Sequence, residues 1–134
     1  MLRLARWFWV VALVLLATGC SVPVIKPGWQ DQEGAEIKEL RLTVSPGNGV
    51  VAAVKFIPGD NDNDGLTVSV GGEPPLWVSV DPPRLPRVDL GVAYPLSVQV
   101  RAPADARAGT YEAAVILRSG RKEAGRLPVK ITVK

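Results

Sequence analysis

From Lys38 to Lys134 the chain consists of short runs in which apolar residues recur at every second position, separated by clusters of Pro, Gly, Asn and Asp. A β-strand points successive side chains to opposite faces, so this period of two describes strands with one buried face. No stretch sustains the 3.6-residue period of an amphipathic helix. ELRLTVS sets Leu40, Leu42 and Val44 on one face, and LTVSV does the same with Leu66, Val68 and Val70. PLSVQVRA alternates Leu96, Val98 and Val100 against Ser97, Gln99 and Arg101. LWVSV, TYEAAVILRS and RLPVKITVK add three more such runs. VVAAVKFI is apolar at nearly every position and reads as a central strand covered on both faces. Seven short strands predict an all-β fold, a single seven-stranded β-sandwich over residues 38–134. Pro128 lies inside the last run, where a missing N–H is tolerated at an edge or near a strand start, so that strand is expected at an edge or starting late. The single cysteine, Cys20, excludes an internal disulfide, and packing must carry the fold.

The first twenty residues, MLRLARWFWVVALVLLATGC, stand apart from this pattern. Arg3 and Arg6 precede an uncharged apolar run from Trp7 to Ala17, and small residues follow, which is the layout of a signal peptide. The run is eleven residues long, short of the roughly 20 that a membrane-spanning helix needs. LLATGC resembles the lipobox of bacterial lipoproteins, with Ala17 where leucine is commoner. That resemblance implies cleavage after residue 19 and a lipidated Cys20 that holds the mature protein on the extracytoplasmic face of the cell membrane, extracellular or periplasmic. An ordinary secretory signal or an uncleaved anchor is the alternative. Residues 20–37, SVPVIKPGWQDQEGAEIK, show no period and read as a flexible tether, with Trp29 free to rest on the membrane interface or the domain. Loss of residues 1–19 removes two arginines and no acid, so the net charge falls from +3 to +1. No basic cluster remains to grip phosphates, which argues against nucleic acid as a partner.

Two segments, PPLWVSVDPPRL and APADARAGTYEAAVIL, resemble the immunoglobulin-like modules appended to bacterial alpha-galactosidases and to many bacterial surface proteins. The matching residues include Trp77, Pro103, Asp105, Gly109, Thr110 and Tyr111. The resemblance spans roughly residues 40–134 and implies an Ig-like sandwich in which these residues shape connections, Tyr111 in the manner of a corner tyrosine. It departs from the family at DLGVAYP, residues 89–95, where a glycine-rich turn is usual. The family's members are accessory modules, so the resemblance implies an architecture and no particular ligand.

Candidate chemistry is sparse. The chain has no histidine, which removes Ser-His-Asp and Cys-His systems and histidine metal sites. Nothing pairs two acids across a cleft, and an enzyme is not expected. GDNDNDG, residues 59–65, sets Asp60, Asp62 and Asp64 at alternate positions before a glycine, as calcium loops often begin. Gly71 stands where the closing glutamate of an EF-hand belongs, and the flanks are strands, so an EF-hand is excluded. Three carboxylates repel by about 0.6 kcal/mol per pair at about 7 Å in water, and a weakly bound calcium ion would relieve that. The other reading is a solvated hairpin loop whose Asn and Asp side chains bond their own backbone. Trp77 is expected in the core or on a sheet surface rather than as a sugar platform, and Tyr94 in a turn.

The expectation is therefore a lipid-anchored module with a binding, spacing or assembly role at the cell envelope, its partner an envelope protein or polysaccharide. A carbohydrate-binding or calcium-assisted adhesion module is the alternative. An exposed aromatic pair on one sheet would favour sugar, and an apolar patch or open edge strand would favour protein.

Overall fold

A computed structural model describes residues 26–73 and 77–134. The leader and Cys20 lie outside the described residues. In chain order the strands are β1 (Gly28–Asp31), β2 (Glu36–Ile37), β3 (Leu40–Val44), β4 (Gly49–Ile57), β5 (Leu66–Glu73), β6 (Val78–Asp81), β7 (Arg84–Leu85), β8 (Tyr94–Arg101), β9 (Gly109–Ser119) and β10 (Lys122–Val133). They form two sheets of five, ordered β2-β1-β4-β8-β6 and β3-β10-β9-β5-β7. Every pairing is antiparallel except β3 with β10. The described residues are all-β and two-layered. Each of the seven alternating runs forms a strand, and β1, β2 and β7 are additional. These three are two to four residues long, too short to display a period.

The core lies between the sheets. Leu96, Val98 and Val100 from β8 meet Val115, Leu117, Leu127 and Ile131 of the other layer in one continuous apolar cluster. Among the described residues no polar or charged side chain is buried in it, as expected where burial of apolar area supplies the driving force and each unpaired polar group would cost free energy.

Several expectations are corrected by the tertiary arrangement. Within the tether expected over residues 20–37, Gly28–Asp31 and Glu36–Ile37 are strands. β1 pairs with β4 in the register Gly28↔Ile57 to Asp31↔Val54. Trp29 is 5% exposed and packs on Phe56 with ring centroids 4.9 Å apart. Of the two places open to it, Trp29 takes the domain, and it is buried in the core. β10 is not an edge: it lies between β3 and β9. Pro128 fits because β3 joins only from Val129 onward, in the register Val129↔Leu40. On that side the strand has no partner yet at Pro128, so the missing N–H leaves no ladder bond broken there. β4 is central, as expected, yet its outer face is open and Val51 is 61% exposed.

Most connections cross between layers. Only β1–β2 and β9–β10 are hairpins within one sheet. The loop containing GDNDNDG therefore does not close a hairpin: it carries the chain from β4 in one sheet to β5 in the other.

Candidate functional site

The described part of the chain begins at one end of the sandwich, here the N-terminal pole. Pro27 approaches Gly59 so closely that a Cβ built there would touch its ring carbons at 3.5 Å. The β4–β5 loop, the β7–β8 loop and the β9–β10 hairpin meet at the same pole. A shallow depression among them is lined by Pro58, Asp62, Val88, Ser119 and Glu123.

Asp62 organises this pole. Its N–H donates to the Val88 carbonyl at 2.8 Å and its carbonyl accepts from the Val88 N–H at 3.0 Å. Its Oδ1 accepts the N–H of Asp64 at 2.9 Å and of Gly65 at 3.1 Å, and its Oδ2 accepts the Ser119 hydroxyl. The Ser119 bond is the main reason that the carboxyl is held below its ordinary 3.8; the two amides add to it, and desolvation opposes them. Arg84 donates to the Asp64 carbonyl at 3.0 Å. Gly65 has φ +80°, and a Cβ there would overlap the Leu85 carbonyl oxygen.

The three aspartates expected as calcium ligands are thus not gathered. Asp62 is committed to Ser119 and to its own backbone, and among the described residues no three His, Cys, Asp or Glu side chains cluster as metal ligands. The loop's Asn and Asp side chains do bond backbone, as the alternative reading had it, but across to another loop as well as within their own.

That second loop was not singled out by its sequence beyond its departure from the family pattern. Asp89 to Val92 form a tight turn closed by the Val92 N–H on the Asp89 carbonyl at 3.2 Å, with Gly91 at φ +77° in its third position. Asn61 Oδ1 accepts the Leu90 N–H at 2.6 Å, the Pro58 carbonyl accepts the Gly91 N–H at 3.3 Å, and Tyr94 Oη accepts the Asp89 N–H at 2.7 Å. Tyr94 is accordingly the first residue of β8, not a turn residue. Leu90 and Val92 stand out at 56% and 45% exposure. No periodicity announces them, because the contacts that fix them come from a segment about thirty residues earlier.

The residues of the family-like motif assemble at the opposite, distal pole. Trp77 packs against Tyr111 with centroids 4.7 Å apart, and Tyr111 donates its hydroxyl to the Arg107 carbonyl at 2.8 Å. Pro103 accepts the Ala106 N–H at 3.0 Å, and Gly47 donates to Ala102 at 3.0 Å. Gly109, with φ +153°, opens β9, while Asp105 and Thr110 are exposed.

The outer faces of the two sheets differ. Along the first sheet Val51 pairs with Gln99 and Ala53 with Ser97, and Ser79 lies beyond Gln99. Its centre is built of short or uncharged side chains, with Lys55, Asp81 and Arg101 at the margins of the same face. The second sheet shows Arg118 and Arg84 on either side of Thr67, and Lys130 between Arg41 and Glu112. Among the described residues no helix is long and apolar enough to cross a membrane.

No family model matches the chain, and no curated protein matches it. Among solved structures, a family 123 glycoside hydrolase from Clostridium perfringens aligns with TM-score 0.54 and 10% identity, over 74% of this chain and 23% of that one. A Bacteroides ovatus GH5 xyloglucanase aligns with TM-score 0.50 and 12% identity, over 80% and 19%. An MSP-domain protein-like family member from Caenorhabditis elegans aligns with TM-score 0.46 and 12% identity, over 72% and 94%. The chain therefore spans about a quarter or less of the two glycan-cleaving enzymes. At this identity the likeness is one of fold: a two-sheet β-sandwich that recurs as a part of larger proteins.

Proposed function

We propose that the protein is a bacterial lipoprotein, held through Cys20 on the extracytoplasmic face of the cell membrane, whose Ig-like β-sandwich binds an envelope protein without catalysis. The observation that carries the binding role is the outer face of the sheet β2-β1-β4-β8-β6. Val51 stands 61% exposed on its central strand, among Ala53, Ser97, Gln99 and Ser79, with no long charged side chain directly paired to it. Apart from Gln99 these side chains are short and have few rotamers to lose when the face is covered. Catalysis finds little support: the chain lacks histidine, and the Asp62 carboxylate is pushed toward the ionised form, away from a poised acid or base.

The carbohydrate alternative would be favoured by exposed aromatics on a sheet. Trp29 and Phe56 are instead buried together, Trp77 is stacked on Tyr111, and Tyr94 is tied to Asp89. The test places a photo-crosslinking side chain at Val51 in the anchored protein in its own cells, with Thr67 on the other sheet as the control. A protein crosslinked from Val51 and not from Thr67, and lost on Ser97→Lys, is expected. Recovery of polysaccharide alone, or equal crosslinking from both faces, would overturn the reading. Labelled fatty acid incorporated equally into wild type and Cys20→Ser would overturn the anchor.

A further inference from the structure

Leu90 and Val92 require an explanation that the proposed binding face does not give. Among the described residues they and Val51 are the large apolar side chains left exposed. Val51 is six residues up β4 from Ile57, about 20 Å from the N-terminal pole at roughly 3.3 Å per residue. Leu90 and Val92 sit at that pole, on the Asp89–Val92 turn.

The backbone of this turn has no need of water as a hydrogen-bond acceptor for its amides. Five consecutive N–H groups are satisfied by the protein. Val88 donates to the Asp62 carbonyl at 3.0 Å, Gly91 to the Pro58 carbonyl at 3.3 Å and Val92 to the Asp89 carbonyl at 3.2 Å; Asp89 donates to Tyr94 Oη at 2.7 Å and Leu90 to Asn61 Oδ1 at 2.6 Å. A solvated loop gains little from such completeness, because water would serve. A loop entering a partly apolar medium gains from it, since an amide left unpaired there is penalised. The turn thus combines two apolar side chains pointing outward with amides already paired.

The position of the chain says which medium. Pro27 touches Gly59 at this pole, and Cys20 lies seven residues before Pro27, so the anchoring point is within about 25 Å of it even if the segment is fully extended. Five carboxylates at the pole, those of Asp60, Asp62, Asp64, Asp89 and Glu123, face a similar number of lysines and arginines, among them Arg84, Arg87 and Lys122. That balance offers no cationic surplus for anionic headgroups, and the contact is apolar in kind.

We propose that the Asp89–Val92 turn is a membrane-docking tip. It rests on the lipid-anchor reading: with Cys20 in the bilayer, Leu90 and Val92 enter its interfacial layer, and the sandwich stands with its N-terminal pole down. The face around Val51 is then turned sideways, clear of the lipid, and the distal pole points away from the membrane.

The test uses the full chain with its native N-terminus, purified in detergent and reconstituted into phosphatidylcholine vesicles. An environment-sensitive fluorophore is attached at Leu90→Cys, at Val92→Cys in a second protein, and at Val51→Cys as control. The expected result is a blue shift and quenching by quencher-bearing acyl chains for the first two probes, unchanged by high salt, and neither for the third. Fatty-acid labelling of the same preparations separates the two readings. Lipidated protein whose Leu90 and Val92 probes stay aqueous overturns the docking tip and leaves the anchor standing. Absence of lipid on Cys20 overturns both. Equal response at all three positions means that the domain lies flat, which overturns the tip. A response seen on native envelopes and not on pure lipid assigns the turn to a protein and overturns it as well.

Discussion

The two poles of the sandwich are built with similar devices and end in opposite results. Each has a glycine near φ +80°, each is closed by backbone hydrogen bonds between loops, and each uses a tyrosine hydroxyl as a pin. At the distal pole these devices bring apolar surface inward: Trp77 is laid on Tyr111, and Ala102 is buried beneath the loop. At the N-terminal pole they hold apolar surface outward: Asn61, Asp62 and Pro58 take amides of the β7–β8 loop, and Leu90 and Val92 remain exposed. The difference teaches that loop order and loop burial are separable. A polar sequence can fix an apolar turn in solvent when its hydrogen bonds are directed at the backbone.

Substitutions at matched positions test that comparison. The largest effect is expected at the tryptophans. Trp29→Ala removes a buried ring from the N-terminal pole and is expected to cost about 3–5 kcal/mol, whereas Trp77→Ala at the distal pole removes a half-buried ring and a tilted aromatic pair, costing about 1–2 kcal/mol. Denaturant unfolding measures both, and equal losses would show that β1 is not integral to the domain.

The glycines sharpen the contrast further. Gly65 and Gly47 have nearly the same φ, +80° and +81°, but a Cβ at Gly65 overlaps the Leu85 backbone, while at Gly47 it meets Ala104 at 3.8 Å, an ordinary contact. Gly65→Ala is expected to lose about 3 kcal/mol from strain and overlap, lowering the Tm by more than about 10 °C. Gly47→Ala loses only the dihedral term of about 1 kcal/mol. Similar melting temperatures for the two variants would break the distinction.

Tyr111→Phe removes the bond to the Arg107 carbonyl and keeps the stack on Trp77, so a loss of about 0.5–1.5 kcal/mol is expected. Ser119→Ala acts through pH. Asp62 in the folded protein titrates below its ordinary 3.8, so its contribution is present above pH 3.8 and fades as pH falls from there through the folded value. The wild type should therefore exceed Ser119→Ala in Tm at pH 7, with the gap closing on acidification below pH 3.8. A gap that widens would mean that the hydroxyl does not favour the ionised carboxyl. Last, millimolar calcium is expected to leave the Tm unchanged, because Asp62's oxygens are already engaged. A rise of several degrees, the effect of a ligand near ten times its dissociation constant, would show the loop rearranging around a cation.

Much of the fold was legible in the residues. Alternation in Leu66–Val68–Val70 or Leu96–Val98–Val100 identified strands and their buried faces, because a period of two is a local property of the backbone. What alternation does not contain is the identity of the partner strand. Val51 in VVAAVKFI looked like one more buried residue, since an apolar residue on an open face and one on a covered face read alike. Trp29 sat in a stretch with no period, and its burial depends on Phe56, which lies twenty-seven positions later.

The candidate site divides in the same way. That Asn and Asp in GDNDNDG would bond backbone, with Gly65 at the bend, followed from side-chain chemistry and glycine's freedom at positive φ. The partners of those bonds, Val88, Leu90 and Ser119, did not.

By itself, then, the sequence determined an all-β pattern from Lys38 onward with a single buried face along most strands, and a set of side chains without histidine. These follow from residue type and nearest-neighbour spacing. Only the tertiary structure decided that the Asp-rich segment crosses between sheets, that β10 lies inside its sheet, that β1 belongs to the sandwich, and that Leu90 and Val92 share a pole with Pro27. Each of these is a contact between segments far apart in the chain. Its strength depends on a register and a direction of approach that local alternation leaves free.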